Sequence, residues 1–433
     1  MIYPLLIVIS FLFFFIIIIS YALKDADFVA ISILCSFIAA TIVGISLQIG
    51  FESFISYIEF DVIIIIISMS IITKIAQDSN ILEFLAVKLF KISKGNKTSF
   101  FYLLCIIATL LAAIITDVVV VLILAPVVIR LCRVLKTRAG TYLLGMTICI
   151  NIGSIITPFS SGENIMISNY FLIDTTYFIQ YYWIFAFFTL ILTIFIIDRI
   201  ILKKEPKILD EQKILLIDIL DEKRLIKNKK IFYVNSIAII VTITLFAILP
   251  ILYLTAIFSA LILVIINQKV NNKNLKDILG DIEWEIIFFF IALYIVIGCL
   301  LEAGFKDFFI GIPFQTLNIF SLALMILLLI SIISGFVANT PTALIFIPII
   351  DLLIESYGFS PIPLLFGFII GINIGGNIIP QGAACDMMTL KIAQDRGVQN
   401  LNYKRLFKMG FIFAVFHIFL SIMYLFILIL FFG

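Results

Sequence analysis

Charge is what this sequence has least of. Asp, Glu, Lys and Arg make up 13% of the 433 residues and hydrophobic residues 63%, where soluble globular chains carry roughly 25% and 45–50%. A water-soluble fold of this length has nowhere to bury that much apolar surface, which excludes soluble enzymes, nucleic-acid binders and disordered chains. The net charge of +2 gives no field to draw polyanions. A single histidine, His417, rules out a multi-histidine metal site; it reads as a packed neutral imidazole, with a proton relay as the alternative. The six cysteines contain no C-x-x-C pair, which argues against structural zinc or a disulfide framework. Strand-like alternation is missing, and with it an outer-membrane barrel. The N-terminus lacks the basic region and cleavage site of a signal peptide, so residues 3–23 are expected to be a retained first span. What remains is an all-α polytopic membrane protein.

Long apolar runs lie near 3–23, 28–47, 61–77, 100–135, 141–180, 181–201, 231–249, 251–267, 283–301, 319–354, 362–395 and 405–431. Several exceed one span. Thr116-Asp117 interrupts 100–135, and Ala338-Asn339-Thr340-Pro341 interrupts 319–354, which predicts two helix–turn–helix hairpins. Polar, Gly- and Pro-rich stretches inside 141–180 and 362–395 predict two broken helices. With the N-terminus outside and five crossings per half, 28 of the 29 Lys and Arg residues fall in inner loops and only Lys306 outside, as the positive-inside rule requires. The rule does not separate a re-entrant hairpin from two full crossings. The polar connector 203–230 holds nine basic and six acidic residues around Ile208, Leu209, Leu215, Leu216, Ile219 and Leu220, and is expected to be a cytoplasmic amphipathic helix.

The chain repeats itself. A shift of 222 residues aligns Asp117–Ile167 with Asn339–Thr389 without a gap, with 14 identities in 51 positions. Pro126/Pro348, Gly145/Gly367, Asn151/Asn373, Gly153/Gly375 and Pro158/Pro380 carry more weight than apolar identities. The shift also pairs Asp61 with Glu283. The expected domains are a first repeat over 1–202, the cytoplasmic connector 203–230, and a second repeat over 231–433. An odd number of crossings turns the second copy upside-down, giving two inverted repeats of five spans, each with a re-entrant hairpin and a broken helix. That is the architecture of secondary transporters, with the site at the midplane between the halves.

Four polar stations interrupt the apolar runs. They are Thr116-Asp117, running on to Pro126; N-I-G-S-I-I-T-P-F-S-S-G-E-N-I-M-I from Asn151; A-N-T-P-T-A-L-I-F-I-P from Ala338; and N-I-G-G-N-I-I-P-Q-G-A-A-C-D-M-M-T from Asn373. A helix broken inside a membrane is tolerated where its freed backbone groups line a cavity or bind something. Gly, Asn and Pro also serve tight helix packing, the alternative reading. The candidate substrate- and ion-binding residues are Thr116, Asp117, Asn151, Gly153, Ser154, Glu163, Asn164, Asn339, Thr340, Asn373, Gly375, Gly376, Asn377 and Asp386. A side chain added at Gly153 or Gly375 is expected to intrude on the site while leaving membrane insertion normal. No catalytic residue, resident metal or cofactor is expected; Na+ at Asp117, Asn151, Asn339 and Asn373, or H+, is the expected coupling ion. Embedded acids are costly and usually functional, and the repeat sets Asp117 against Asn339 and Asn164 against Asp386. The alternative for these acids is a structural hydrogen-bond pair. Cys385 beside Met387 and Met388 reads as a small apolar filler or as a contact for a thiophilic solute.

At these stations the chain resembles the ion-transporter superfamily, which includes arsenite permeases, sodium–proton antiporters of the related type, citrate–metal symporters, divalent-anion/sodium symporters and the melanosomal P protein. T-D-V-V-V-V-L-I-L-A-P resembles that family's Asn-(x)8-Pro hairpin tip, and A-N-T-P-T-A-L-I-F-I-P its second copy. The second and fourth stations are similar to the arsenite-permease patterns ending in P-P-N-I-M-I and reading G-G-N-x-T-x-x-G-A-x-A-N. Here Asp117 stands for the usual Asn, Gly162-Glu163 for Pro-Pro and Asp386 for Asn, and Ala338 lacks the acid many relatives have before the Asn. The resemblance implies two re-entrant hairpins with Asp117 and Asn339 at their tips, and broken helices at Asn151, Gly153, Asn373 and Gly375. It also implies elevator-like cycling.

The expected function is secondary active transport of a small inorganic or carboxylate ion across the cell membrane, coupled to H+ or Na+. The alternatives are a Na+/H+ antiporter and, in another class, a passive ion channel. A membrane hydrolase lacks its motifs here, so no enzyme is expected. The expected partners are the small ion and the lipid bilayer; nucleic acid is not a partner, and a homodimer is left open.

Overall fold

The structure, a computed structural model, describes residues 2–22, 26–94, 96–134, 137–205, 226, 228–249, 251–271, 274–282 and 284–432. Most of the connector (206–225 and 227) and Glu283 lie outside the described residues, and so do the helix expected in the one and the acid pairing expected of the other.

Among the described residues the chain is helical, without strands. The first half runs α1 (Pro4–Ala22), α2 (Phe28–Leu47), α3 (Phe51–Ile55), α4 (Phe60–Asp78), α5 (Ile81–Ile92), α6 (Lys97–Ala112), α7 (Asp117–Val134), α8 (Ala139–Gly153), α9 (Gly162–Tyr170), α10 (Thr175–Tyr181) and α11 (Trp183–Ile200). The second runs α12 (Lys229–Ile248), α13 (Leu252–Asn271), α14 (Leu275–Leu279), α15 (Trp284–Glu302), α16 (Phe305–Ile310), α17 (Ile319–Val337), α18 (Asn339–Asp351), α19 (Pro361–Gly375), α20 (Ala384–Asp395) and α21 (Tyr403–Phe432). Ten of the described helices are long and apolar enough to cross a membrane. In hydrocarbon a backbone can pair its polar groups only within a helix or a closed barrel, so runs of Ile, Leu and Phe without alternation fold this way. The shorter apolar helices α6, α8 and α19 belong to the interrupted segments.

The 222-residue shift reappears in the helix bounds. It carries α8 onto α19, end to end, and carries α7 onto α18 together with the π-helical turn Leu352–Ser356 that extends it. Each of α7 and α18 holds its proline, Pro126 or Pro348, at the same depth. The caps repeat as well. Asn96 Oδ1 accepts from the Thr98 and Ser99 amides at the start of α6, and Asn318 Oδ1 from the Ser321 amide at the start of α17. Asn is favoured there because its side chain satisfies N–H groups that have no helical acceptor.

Packing follows the same symmetry. Helix α2 lies on α15 and α4 on α13, while α1 lies on α2 and α12 on α13. In the interrupted segments α6 packs on α8 and α17 on α19. The second arm of each hairpin crosses to the other half: α7 packs on α20, and α18 on α9. Helix α8 is buried along its whole length, and α19 from Pro363 to Gly375, so both breaks open at the centre of the molecule. Where the connector begins, Lys97 Nζ donates to Leu202 O (3.2 Å) and Glu205 O (2.8 Å), and Thr141 Oγ1 donates to Glu205 Oε1 (2.7 Å).

Candidate substrate and ion site

The stations converge, and they do so across the two halves. From α8, Asn151 Nδ2 donates to Asn377 Oδ1 (2.7 Å) and reaches Asp386 Oδ1 at 3.5 Å. The shift-related contact is Asn373 Nδ2 to Asn164 Oδ1, at 3.0 Å. From the second hairpin, Asn339 Nδ2 donates to Glu163 Oε1 (3.1 Å). The counterpart pair under the shift is Asp117, at the first hairpin's tip, and Cys385, which interact electrostatically. All five tie a residue of one half to a residue of the other, and the 222-residue shift exchanges four of them in pairs, all but Asn151 with Asn377. Cys385 Sγ also donates to Asn151 Oδ1 (3.0 Å), and Thr147 Oγ1 donates to Asp386 Oδ1 (2.6 Å).

Glu163, Asn164, Asn151, Asn373, Asn377 and Asp386 are buried, and Asp117 and Asn339 half-buried. Asp117 interacts electrostatically with both Glu163 and Asp386. No salt bridge among the described residues involves any of the three acids. Charges about 4 Å apart interact by about 4 kcal/mol at an effective dielectric near 20, so gathering like charges without a base favours uptake of a cation or proton. Two buried polar atoms in the cluster, Asn373 Oδ1 and Asn377 Nδ2, have no partner, and such atoms are costly unless something pairs with them.

The first break, between α8 and α9, is stitched by its own side chains. Ser161 caps α9 by accepting from the Asn164 amide. Asn164 Nδ2 donates to Ser154 O (2.5 Å), Thr157 O (3.2 Å) and Ser160 Oγ (3.2 Å). Ser160 Oγ donates to the same two carbonyls, at 2.7 and 2.8 Å, and Thr157 Oγ1 to Ala113 O on the first hairpin (2.6 Å). The second break, between α19 and α20, lacks hydroxyls at the matching places.

Of the expected residues, Asp117, Asn151, Glu163, Asn164, Asn339, Asn373, Asn377 and Asp386 meet in this cluster. Ser154 lends its carbonyl to the first break. Thr116 turns the hairpin, its carbonyl accepting from the Val119 and Val120 amides. Thr340 sits half-buried in the first turn of α18. A Cβ on Gly376 would lie 2.9 Å from Asn339 Oδ1, so this glycine lets the hairpin tip approach the break. Gly153 and Gly375 differ from expectation. A Cβ on Gly153 would strike Thr109 O, and one on Gly375 would lie 2.5 Å from Ser331 O. Both face the backbone of the neighbouring hairpin arm, at positions the shift exchanges, and their smallness serves close packing of α8 on α6 and α19 on α17. Thr147, Thr157 and Ser160 are partners that composition did not single out. The pairing of Thr157 with Ile379 and Ser160 with Gly382 under the shift was the available signal. His417 is buried away from the cluster, its Nε2 2.8 Å from Thr193 Oγ1.

A multi-pass membrane protein with two hairpins, two broken helices and a polar cluster between its halves is a membrane transporter. A family model described as citrate transporter (CitMHS) matches residues 11–351, and the chain belongs to that family. An uncharacterized transporter of Mycobacterium bovis is 23% identical over 78% of this chain and 80% of its own. The 46 kDa membrane protein of Mycobacterium leprae is 23% identical over 88% and 90%. The human P protein matches a shorter stretch, 27% identical over 26% of this chain and 14% of its own. Among solved structures, Neisseria gonorrhoeae MtrF, described as one of a class of antimetabolite efflux pumps, superposes with a TM-score of 0.60 at 13% identity over 88% of this chain and 83% of its own. The Alcanivorax borkumensis YdaH transporter superposes with a TM-score of 0.57 at 11% identity, over 88% and 87%. Both show the fold.

Proposed function

We propose that the chain is a secondary active transporter for a small carboxylate of the citrate class or a comparable inorganic anion, coupled to Na+ or H+. Its halves, 1–202 and 231–433, act as inverted repeats around the shared cluster. The observation that carries this reading is the set of cross-half contacts holding three carboxylates together without a base. An anion entering there finds no Arg or Lys in the cluster, so its charge is met by co-bound cations and by amide donors such as Asn377 Nδ2.

The deciding experiment is flux into proteoliposomes containing the purified chain, screened over citrate, dicarboxylates, arsenite and Na+/H+, with each ion gradient imposed in turn. Gradient-driven accumulation of a carboxylate or inorganic anion is expected. The three carboxylates also suit a Na+/H+ antiporter, which would exchange those two ions without any anion. Flux that persists unchanged without an ion gradient would mean a passive channel.

The sidedness reading has its own test. With 28 of 29 basic residues assigned inside, single cysteines engineered into 48–60 and 168–180 should react with an impermeant maleimide added outside. Cysteines in 203–230 should react only after permeabilisation, and outside labelling there would reverse the topology.

A further inference from the structure

The two breaks are built on one plan, yet their hydrogen bonding differs atom by atom. In the first half three side-chain donors close three carbonyls: Thr157 Oγ1 takes Ala113 O, while Ser160 Oγ and Asn164 Nδ2 take Ser154 O and Thr157 O. The 222-residue shift turns those donors into Ile379, Gly382 and Asp386, none of which can donate when the carboxyl is ionised. It turns the carbonyls into Gly335 O, Gly376 O and Ile379 O. Two of these are close together: a Cβ on Gly382 would lie 2.8 Å from Gly376 O and 3.0 Å from Gly335 O. Ile379 O keeps one partner, the Gly382 amide at 2.8 Å. Among the described residues no side chain donates to any of the three.

The carboxyl sharpens the contrast. Asn164 Oδ1 faces the other half, accepting from Asn373, and Asp386 Oδ1 does the same toward Asn151 and Thr147. The remaining atom of Asn164, its amide nitrogen, points at the carbonyls of its break. The corresponding atom of Asp386 is a carboxylate oxygen, so the shift sets oxygen against oxygen where the first half has N–H against oxygen. Oxygens repel unless a cation lies among them, and carboxylate with carbonyl ligands is a set suited to a hard cation.

We propose that the two breaks have unequal roles: the second binds one Na+ between Asp386 and the carbonyls of Gly335, Gly376 and Ile379. The first binds none, because Asn164, Ser160 and Thr157 fill the equivalent place with their own N–H and O–H groups. This rests on the cation-coupled reading above and makes it specific, with one coupling cation taken at one break.

The test is 22Na+ binding to the purified full chain in detergent, with melting temperature in NaCl and in choline chloride as a second reading. Wild type should bind one Na+ per chain. Asp386→Asn should bind none and lose stabilisation by NaCl, while melting in choline no lower than wild type, because the new amide can donate to the carbonyls as Asn164 does. Asn164→Asp combined with Ser160→Gly and Thr157→Ile, purified in NaCl, should bind two, because no side-chain donor is then left on the three carbonyls of the first break. If it does not fold, wild type and Asp386→Asn decide alone. Two Na+ per wild-type chain, one that survives Asp386→Asn, or none in wild type would each overturn the proposal. Gradient-coupled flux alongside such a result would leave the transporter reading standing; flux indifferent to every gradient would remove that reading instead.

Discussion

Combining Asp117→Asn with Asp386→Asn should reduce gradient-driven uptake by at least about 100-fold, or about 2.7 kcal/mol of lost driving interaction, while the protein remains folded and inserted. Asp117 interacts with both other acids, so it is the residue through which the carboxylates sense one another. Asn already stands at the shift-related position of each, Asn339 for Asp117 and Asn164 for Asp386, so the fold has a place for the amide. What the amide cannot do is carry charge. Asp117→Asn alone should keep transport but alter its dependence on Na+ or pH, since Glu163 then loses a charged neighbour. Uptake by the double variant measured in proteoliposomes with the same ion dependence as wild type would remove these acids from coupling.

The architecture was legible because membrane helices are monotonous and every departure from monotony carries information. Asp117, Asn339 and the Gly/Pro stretches interrupt runs of Ile and Val that have no other reason to stop, and helices do begin at Asp117 and Asn339. The shift found from a few Pro, Gly and Asn pairs also places α8 on α19. Less legible was what each polar residue touches. Thr147 looks like a helix hydroxyl that would bond its own turn, and only folding brings Asp386 within 2.6 Å of it. Ser160 and Thr157 pair with Gly382 and Ile379, so an alignment scored by identity discards the positions where the halves have diverged most in chemistry. The glycines show the remaining gap. A sequence signals that a Cβ is not tolerated at Gly153 and Gly375 without saying which neighbour forbids it.

That neighbour sets the second large effect. Gly375→Ala should lower both thermal stability and transport, in contrast to a blocked site, which would lower transport alone. The new methyl carbon would lie 2.5 Å from Ser331 O and 2.7 Å from Ser331 Cα, both backbone atoms that no rotamer change can move aside. Overpacking of this kind costs about 1–3 kcal/mol, and it outweighs the gain of about 1 kcal/mol that Ala brings to a helix interior. Relief requires α19 to move away from α17, and Asn373, which lies on α19, moves with it, so its cross-half contact with Asn164 weakens. Gly153→Ala should behave alike, because Thr109 O stands where Ser331 O does. Gly311→Ala is the control: nothing lies within 4 Å of a Cβ there, and its melting temperature and flux should match wild type. A Gly375→Ala protein with wild-type melting and lost flux would place the glycine at the ion path after all. Wild-type values for both would show that α17 and α19 can separate without cost.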